Sequence, residues 1–203
     1  MENGKLKNKI KNKHSQISDS FYSKKYKNSI KIYNSQFSIL NSQFKHVPCF
    51  ILVGGKSSRF GSEKDDKAAL FYELQYKKCK AVFTNVYFAA KYQKFKNYPF
   101  FIEKSKIYAP LPVLYEIVQK YKKVFIISVD TPNVTAKTIK KLIFKKAVID
   151  KNPLIGYYDY TMTNQIRQNL KDKMKTFGIN KRKIKVKEKE IININTLNDI
   201  DNI

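Results

Sequence analysis

The sequence predicts an α/β fold of three layers, with a mostly parallel sheet covered by helices on both faces. Three observations predict it. Short β-branched and aromatic runs alternate with helical stretches from residue 48 to residue 203. The clearest runs are apolar throughout, as strands buried on both faces are. They also end abruptly, the first at a pair of glycines and the most regular one at an aspartate.

The elements follow in order. Cys49-Phe-Ile-Leu-Val53 is a short apolar run and reads as the first strand. A helix is expected over 66–83, with Ala69, Leu70, Leu74, Tyr76 and Val82 turned inward. Asn85–Ala90 reads as a second strand and Tyr98–Ile102 as a third. Pro112–Lys122 is helical, with proline in the first turn, where a missing N–H is harmless. Val124–Val129 is the most regular strand and runs into Asp130. Thr135 is placed to cap a helix that continues to Phe144. Further strands are expected at Ala147–Ile149 and Leu154–Tyr158, a helix at Thr163–Met174 and a last strand at Glu190–Ile194.

Residues 1–47 have a different texture. They hold ten lysines against Glu2 and Asp19, together with many Ser, Asn and Gln. A seven-residue tandem repeat begins at Asn34 and again at Asn41, with too few apolar positions for a coiled coil. Their scattered isoleucines form no signal-peptide core. The segment is expected to be a disordered basic extension, and 48–203 the functional domain.

Composition narrows the function. The chain of 203 residues carries 41 Lys plus Arg against 16 Asp plus Glu, a net charge of +25. No run approaches the roughly 18 apolar residues of a membrane span. Cys49 and Cys79 make no disulfide framework or zinc spacing, and a reducing, cytoplasmic address is expected. Only Arg59, Arg167 and Arg182 are arginines. Nucleic-acid readers draw heavily on arginine for bidentate contacts, so the lysine excess reads as a solvated surface rather than a nucleic-acid footprint. Its field still favours anionic ligands such as nucleotides.

In sheets of this kind ligands bind beyond the carboxyl ends of the strands. The first strand runs into Val53-Gly-Gly-Lys-Ser-Ser-Arg-Phe-Gly61, which contains three of the six glycines. Bare backbone at Gly54 and Gly55 can approach a ligand closely, and successive N–H groups form an anion cradle. Ser57, Ser58 and Arg59 add donors, and Lys56, Lys64 and Lys67 add charge. The loop matches neither the Walker A spacing nor G-x-G-x-x-G. At the second site Asp130 stands alone at the tip of a hydrophobic strand, five residues before Thr135 and too far away to cap its helix. One carboxylate there suits Mg²⁺, which takes one or two carboxylates and completes its shell with phosphate and water. A cradle, cations and one metal carboxylate describe phosphoryl or nucleotidyl transfer, which needs positioning and charge more than a protein nucleophile. Cys79 is read as core.

These residues resemble a known family. Ile51-Leu-Val-Gly-Gly-Lys-Ser-Ser-Arg-Phe-Gly61, followed by Asp66-Lys-Ala-Ala-Leu70, resembles the L-x-G-G-x-S-x-R-M-G…D-K-x-L-L signature of the MobA-like nucleotidyltransferases, among them the molybdenum cofactor guanylyltransferases. Ala109-Pro-Leu111, Val129-Asp-Thr-Pro132, Pro153-Leu-Ile-Gly-Tyr157 and Ile192-Asn-Ile-Asn-Thr-Leu-Asn-Asp199 resemble the family's later motifs in order. The resemblance implies a Rossmann-like sheet of the nucleotide-diphospho-sugar transferase type. It implies transfer of GMP from GTP to molybdopterin or Mo-molybdopterin, with pyrophosphate released, Mg²⁺ as cofactor, and molybdoenzyme apoproteins or their chaperones as further partners. Leu52, Val53, Gly54 and Gly55 would contact the nucleotide through backbone. Arg59 and Lys67 would be catalytic, Asp130 the metal ligand, and Asn195 would face the pterin.

Some positions depart from the pattern. Glu63-Lys64 fits the family's spacing after the loop glycine, whereas Asp66-Lys67 fits the apolar residues that follow. No asparagine ends the second strand, where Phe88-Ala-Ala-Lys91 stands. The acidic residue before G-P-L is matched by Glu103, with Lys104 as the competing alignment, and the G-K-P-L hairpin is missing. A cytidylyl or sugar-phosphate transferase of the same fold, or a non-catalytic nucleic-acid binder, remain the alternatives.

Overall fold

A computed structural model describes residues 44, 46–54, 67–171 and 182–192. The first strand, β1 (Cys49–Leu52), is buried at every position. It runs parallel to β2 (Val86–Ala90) on one side and to β4 (Lys123–Ser128) on the other. The third strand, β3 (Phe100–Ile102), extends the sheet beyond β2, again parallel. On the far side β6 (Gly156–Asp159) lies antiparallel to β4, β5 (Val148–Ile149) antiparallel to β6, and β7 (Lys183–Ile184) parallel to β5. The order is β3-β2-β1-β4-β6-β5-β7, so the winding reverses between β1 and β4. At such a reversal two neighbouring strand ends diverge and open a crevice.

Alternate residues of these strands feed two cores. Phe50, Leu52, Val124 and Ile126 pack with Leu114, Ile117 and Val118 of α2 (Pro110–Tyr121) and with Ile166 of α4 (Thr163–Lys171). On the opposite face Phe125 meets Phe83, beyond the end of α1 (Lys67–Lys80), with ring centroids 5.2 Å apart. Phe88 lies against Tyr72 and Tyr76 of α1, at 6.2 and 5.5 Å. Because both faces are covered, the strands need no polar alternation. In α3 (Ala136–Phe144) the expected cap is present, Thr135 Oγ1 accepting the Thr138 N–H.

Two expectations are corrected. The buried face of α1 holds Ala68, Phe71, Gln75, Lys78 and Cys79, while Ala69 is exposed and Leu74 and Tyr76 are half-buried. Val82, beyond its end, is buried as expected. The helix is turned because Gln75 and Lys78 find backbone carbonyls inside, so two polar residues point inward. The last strand among the described residues is Lys183–Ile184, and residues 190–192 of the expected strand Glu190–Ile194 form no strand. Val148 donates to the Arg182 carbonyl and Asp150 to that of Ile184, at 2.9 and 3.1 Å. Glu190 instead closes a 3₁₀ turn over Glu188–Glu190, and its carboxylate accepts from Thr135 N and Oγ1 at 3.2 and 3.0 Å. Residues 193 and 194 lie outside the described residues. The glycine of the Pro153–Tyr157 motif has a packing reason: a Cβ on Gly156 would lie 2.5 Å from the Ala147 carbonyl oxygen and from Val148 Cα.

Candidate active site

The crevice at the winding reversal is a cleft of about 200 Å³. Its lining comes from the carboxyl ends of four strands and the start of α2, and includes Leu52, Gly54, Ala89, Glu103, Ala109 and Ser128. Adjacent strands bring the two predicted features together. Leu52 pairs with Ser128, and Val129 donates to the Leu52 carbonyl at 3.1 Å. Gly54 and Asp130 are therefore the next residues along two neighbouring strands. On the other side, Val53 donates to the Ala89 carbonyl at 3.1 Å. Leu52 and Val53 are buried and Gly54 is exposed, so the backbone at the end of β1 opens to the cleft.

Asp130 is half-buried, in a loop that α1 holds from behind. Gln75 Nε2 donates to the carbonyls of Ser128 and Thr131 at 2.8 and 3.2 Å. Lys78 Nζ donates to Gln75 Oε1 at 2.8 Å and to the Pro132 carbonyl. Burial pushes the Lys78 pKa down to about 8. Thr131 Oγ1 closes the turn on the Ser128 carbonyl at 3.0 Å. No three metal-binding side chains cluster among the described residues. The donor set here is one carboxylate beside a backbone turn, which fits Mg²⁺ shared with phosphate and water rather than a metal caged by protein.

Glu103 follows β3, its N–H donating to the Ala90 carbonyl at 2.9 Å. Its side chain is only 6% exposed, and a Cβ on Gly54 would lie 3.6 Å from its Oε1. Lys91 Nζ lies 3.6 Å from the same oxygen. The other oxygen, Oε2, is buried with no hydrogen-bond partner. Burial raises the Glu103 pKa, and Lys91 works against that rise. An unsatisfied buried acceptor costs about 1–3 kcal/mol, which a ligand donor would recover. Lys104, the competing alignment, has an exposed side chain.

Beside Glu103, α2 begins at Pro110 after Ala109, which has no side-chain cap. The uncapped first turn lends partial positive charge to this end of the cleft. Lys67 opens α1, with its side chain outside the described residues. Gly55, Lys56, Ser57, Ser58, Arg59, Lys64 and Asn195 also lie outside the described residues. Sequence reasoning missed Gln75, Lys78 and Lys91. The first two were detectable as polar residues three apart in phase with Phe71, and Lys91 as the residue after a strand end.

The family model of the MobA-like NTP transferase domain matches residues 49–151, half of the chain. The chain belongs to the MobA-like NTP transferase family. Among its relatives is the molybdenum cofactor guanylyltransferase of Campylobacter jejuni, 32% identical over 163 residues, which are 71% of this chain and 85% of that one. The Helicobacter pylori protein of the same name is 27% identical over 187 residues, 79% of this chain and 93% of its own. In three dimensions this MobA-like chain resembles molybdopterin-guanine dinucleotide biosynthesis protein A from Archaeoglobus fulgidus, with TM-score 0.62 and 16% identity, over 77% of this chain and 96% of that one. A crystal structure of an Aquifex aeolicus protein gives the same TM-score at 23% identity, covering 75% of this chain and 96% of its own. These likenesses establish the nucleotide-diphospho-sugar transferase type of fold. Nucleotidyl transfer is the chemistry that goes with this MobA-like membership.

Proposed function

We propose that this protein is a molybdenum cofactor guanylyltransferase, which transfers GMP from GTP to molybdopterin and forms the guanine dinucleotide cofactor. Its relatives' names support the reaction. The observation that carries the base assignment is Glu103: a buried carboxylate on the cleft wall, beside Gly54, with Oε2 unpartnered. Guanine presents neighbouring N1–H and N2–H donors, which match a carboxylate. Adenine offers an acceptor at the corresponding ring nitrogen.

In this reading the terminal phosphate of molybdopterin attacks the α-phosphorus of GTP. A new P–O bond forms, and the bond to the β-phosphate oxygen breaks to release pyrophosphate. The attacking oxygen is already anionic at neutral pH, so the chain needs no general base. Leu52, Val53, Gly54 and Gly55 hold the nucleotide through backbone, and Gln75 and Lys78 keep the Asp130 loop in place. Asp130 is the residue that would hold Mg²⁺. Bound there with the triphosphate, Mg²⁺ would supply charge stabilisation at the reacting phosphates. Arg59 and Lys67 neutralise the leaving pyrophosphate, and Asn195 faces the pterin. The transferase domain begins at Phe44 rather than at residue 48, and residues 1–43 precede it. Both cysteines are buried and free, in keeping with a reducing cytoplasm.

The test is reconstitution. Purified protein with Mg²⁺, GTP and molybdopterin under reducing conditions should yield the dinucleotide. Asp130→Ala should lower kcat by about a thousandfold or more, the scale on which electrostatic stabilisation of a transition state acts. Absence of product from the folded wild type would overturn the assignment. Ranking GTP, CTP, UTP and ATP by thermal shift separates it from a cytidylyl or sugar-phosphate transferase. A ligand at 100 times its Kd stabilises by about 2.7 kcal/mol.

A further inference from the structure

One wall of the cleft is organised by a lysine to which the reaction above gives no role. Lys91 is the first residue past β2, and its side chain is only 16% exposed. Its Nζ lies 3.6 Å from Glu103 Oε1, donates to the Ile107 carbonyl at 3.1 Å and also to that of Ser105. The same ammonium sits 4.6 Å from the centre of the Tyr108 ring, which lines the cleft and is 59% exposed. A single charge thus gathers the end of β3, the segment after it and an aromatic surface at the cleft mouth. From the other side the Glu116 carboxylate of α2 accepts from the N–H groups of Lys104 and Ser105, at 2.8 Å each. The segment between Glu103 and α2 is therefore fixed at both faces by charged side chains.

We propose that Lys91 is a specificity-setting positioning residue: it holds Glu103 through one carboxylate oxygen and leaves the other to accept from a base with paired N–H donors, as guanine has. The inference rests on reading this cleft as the GTP site. It extends that reading to the residue that follows β2 and grips Glu103. The charged groups that face Glu103 among the described residues are Lys91 from the end of β2 and Glu116 from α2, while β1 brings only the backbone of Gly54. Burial and Glu116 both favour the protonated carboxyl, and Lys91 opposes them. A protonated Glu103 would present a donor toward guanine's own donors and lose the discrimination. Lys91 is thus required for the acceptor state as well as for the placement.

Lys91→Gln tests this, because glutamine can still donate to the Ser105 and Ile107 carbonyls but carries no charge. Kd values for GTP and ATP with Mg²⁺ are measured by calorimetry on the full chain between pH 5.5 and 8.5. The expected result is a fall of about tenfold or more in the preference for GTP over ATP, the scale of one lost polar discrimination. The pH below which GTP binding weakens should also move upward. Lys91→Arg, which keeps the charge, should restore both to within about threefold of wild type. A folded Lys91→Gln protein with wild-type preference and wild-type pH profile overturns the inference. So does failure of both variants to fold, which would make Lys91 a structural pillar only. A wild-type protein that does not prefer GTP overturns the GTP reading itself, a separable result, since it is read before any variant is made.

Discussion

At the scale of single residues, Glu103 carries a cost in the free protein. Its carboxylate is withdrawn from water, opposed by Glu116 and compensated by Lys91 alone among the described charges. A raised folded-state pKa has a definite consequence for stability. Stabilisation linked to the protonated carboxyl is complete below the unfolded pKa and is lost as pH rises through the folded value. Between those two pH values the free protein should become less stable as the pH increases. Glu103→Gln removes the titration and should flatten that part of the curve, as read by Tm against pH. It should also weaken GTP binding by about tenfold to a hundredfold, because a charged acceptor becomes a neutral amide. A variant that keeps wild-type GTP affinity would take Glu103 out of the base site.

At the scale of elements, α1 does two jobs that its sequence shows unequally. Its first residue is Lys67, and its third turn reaches across to the loop of Asp130 through Gln75 and Lys78. Gln75→Leu is nearly isosteric but removes the donor to the Thr131 carbonyl, leaves the Ser128 carbonyl with Thr131 Oγ1, and takes the Oε1 acceptor from Lys78. The expected cost is about 2–4 kcal/mol, seen as a lower urea midpoint, with a loss of activity that exceeds the loss of folded protein. A variant with normal activity at full folding would show that the loop holds its shape unaided. This helix also shows where sequence reading stops. The apolar strands β1 and β4 were legible because covering both faces leaves an uninterrupted apolar run. Strand ends carry function in such sheets, and the pairing of Leu52 with Ser128 brings Gly54 and Asp130 to the same end of the sheet. The phase of α1 was misread because apolar residues were assumed to point inward, whereas inward carbonyls call for polar partners. Two-residue β7 was missed for a related reason: a short edge strand flanked by Arg182 and Lys185 carries the charges that keep an edge from pairing, not an apolar pattern. Lys91 was hidden because its meaning lies in contacts with residues 103–108, which no local spacing reveals.

At the scale of the molecule, the question is how much of the chain the transferase needs. The compact unit that contains the sheet runs from Phe44 to Ile203. Phe44 and Val47 are buried at its start, with the Val47 N–H donating to the Phe44 carbonyl at 3.1 Å. Pro48 then accepts from Phe125 N at 2.9 Å and leads directly into β1. A cut before Phe44 and a cut after Val47 should therefore differ, although they lie four residues apart. Removing residues 1–43 discards nine lysines but no described core residue. The remaining domain should keep its kcat, with a Tm within about 2 °C of the full chain, the shift expected from well under 1 kcal/mol. Its kcat/KM for GTP should depend less steeply on salt, since fewer positive charges remain to steer an anionic substrate. Removing residues 1–47 also takes away two buried apolar side chains, each worth about 1.5–3 kcal/mol. That shorter protein should melt lower by several degrees and lose activity in proportion to its unfolded fraction. Equal stability of the two truncations would show that the core begins at Pro48. Loss of kcat in the longer one would show that the basic segment takes part in turnover.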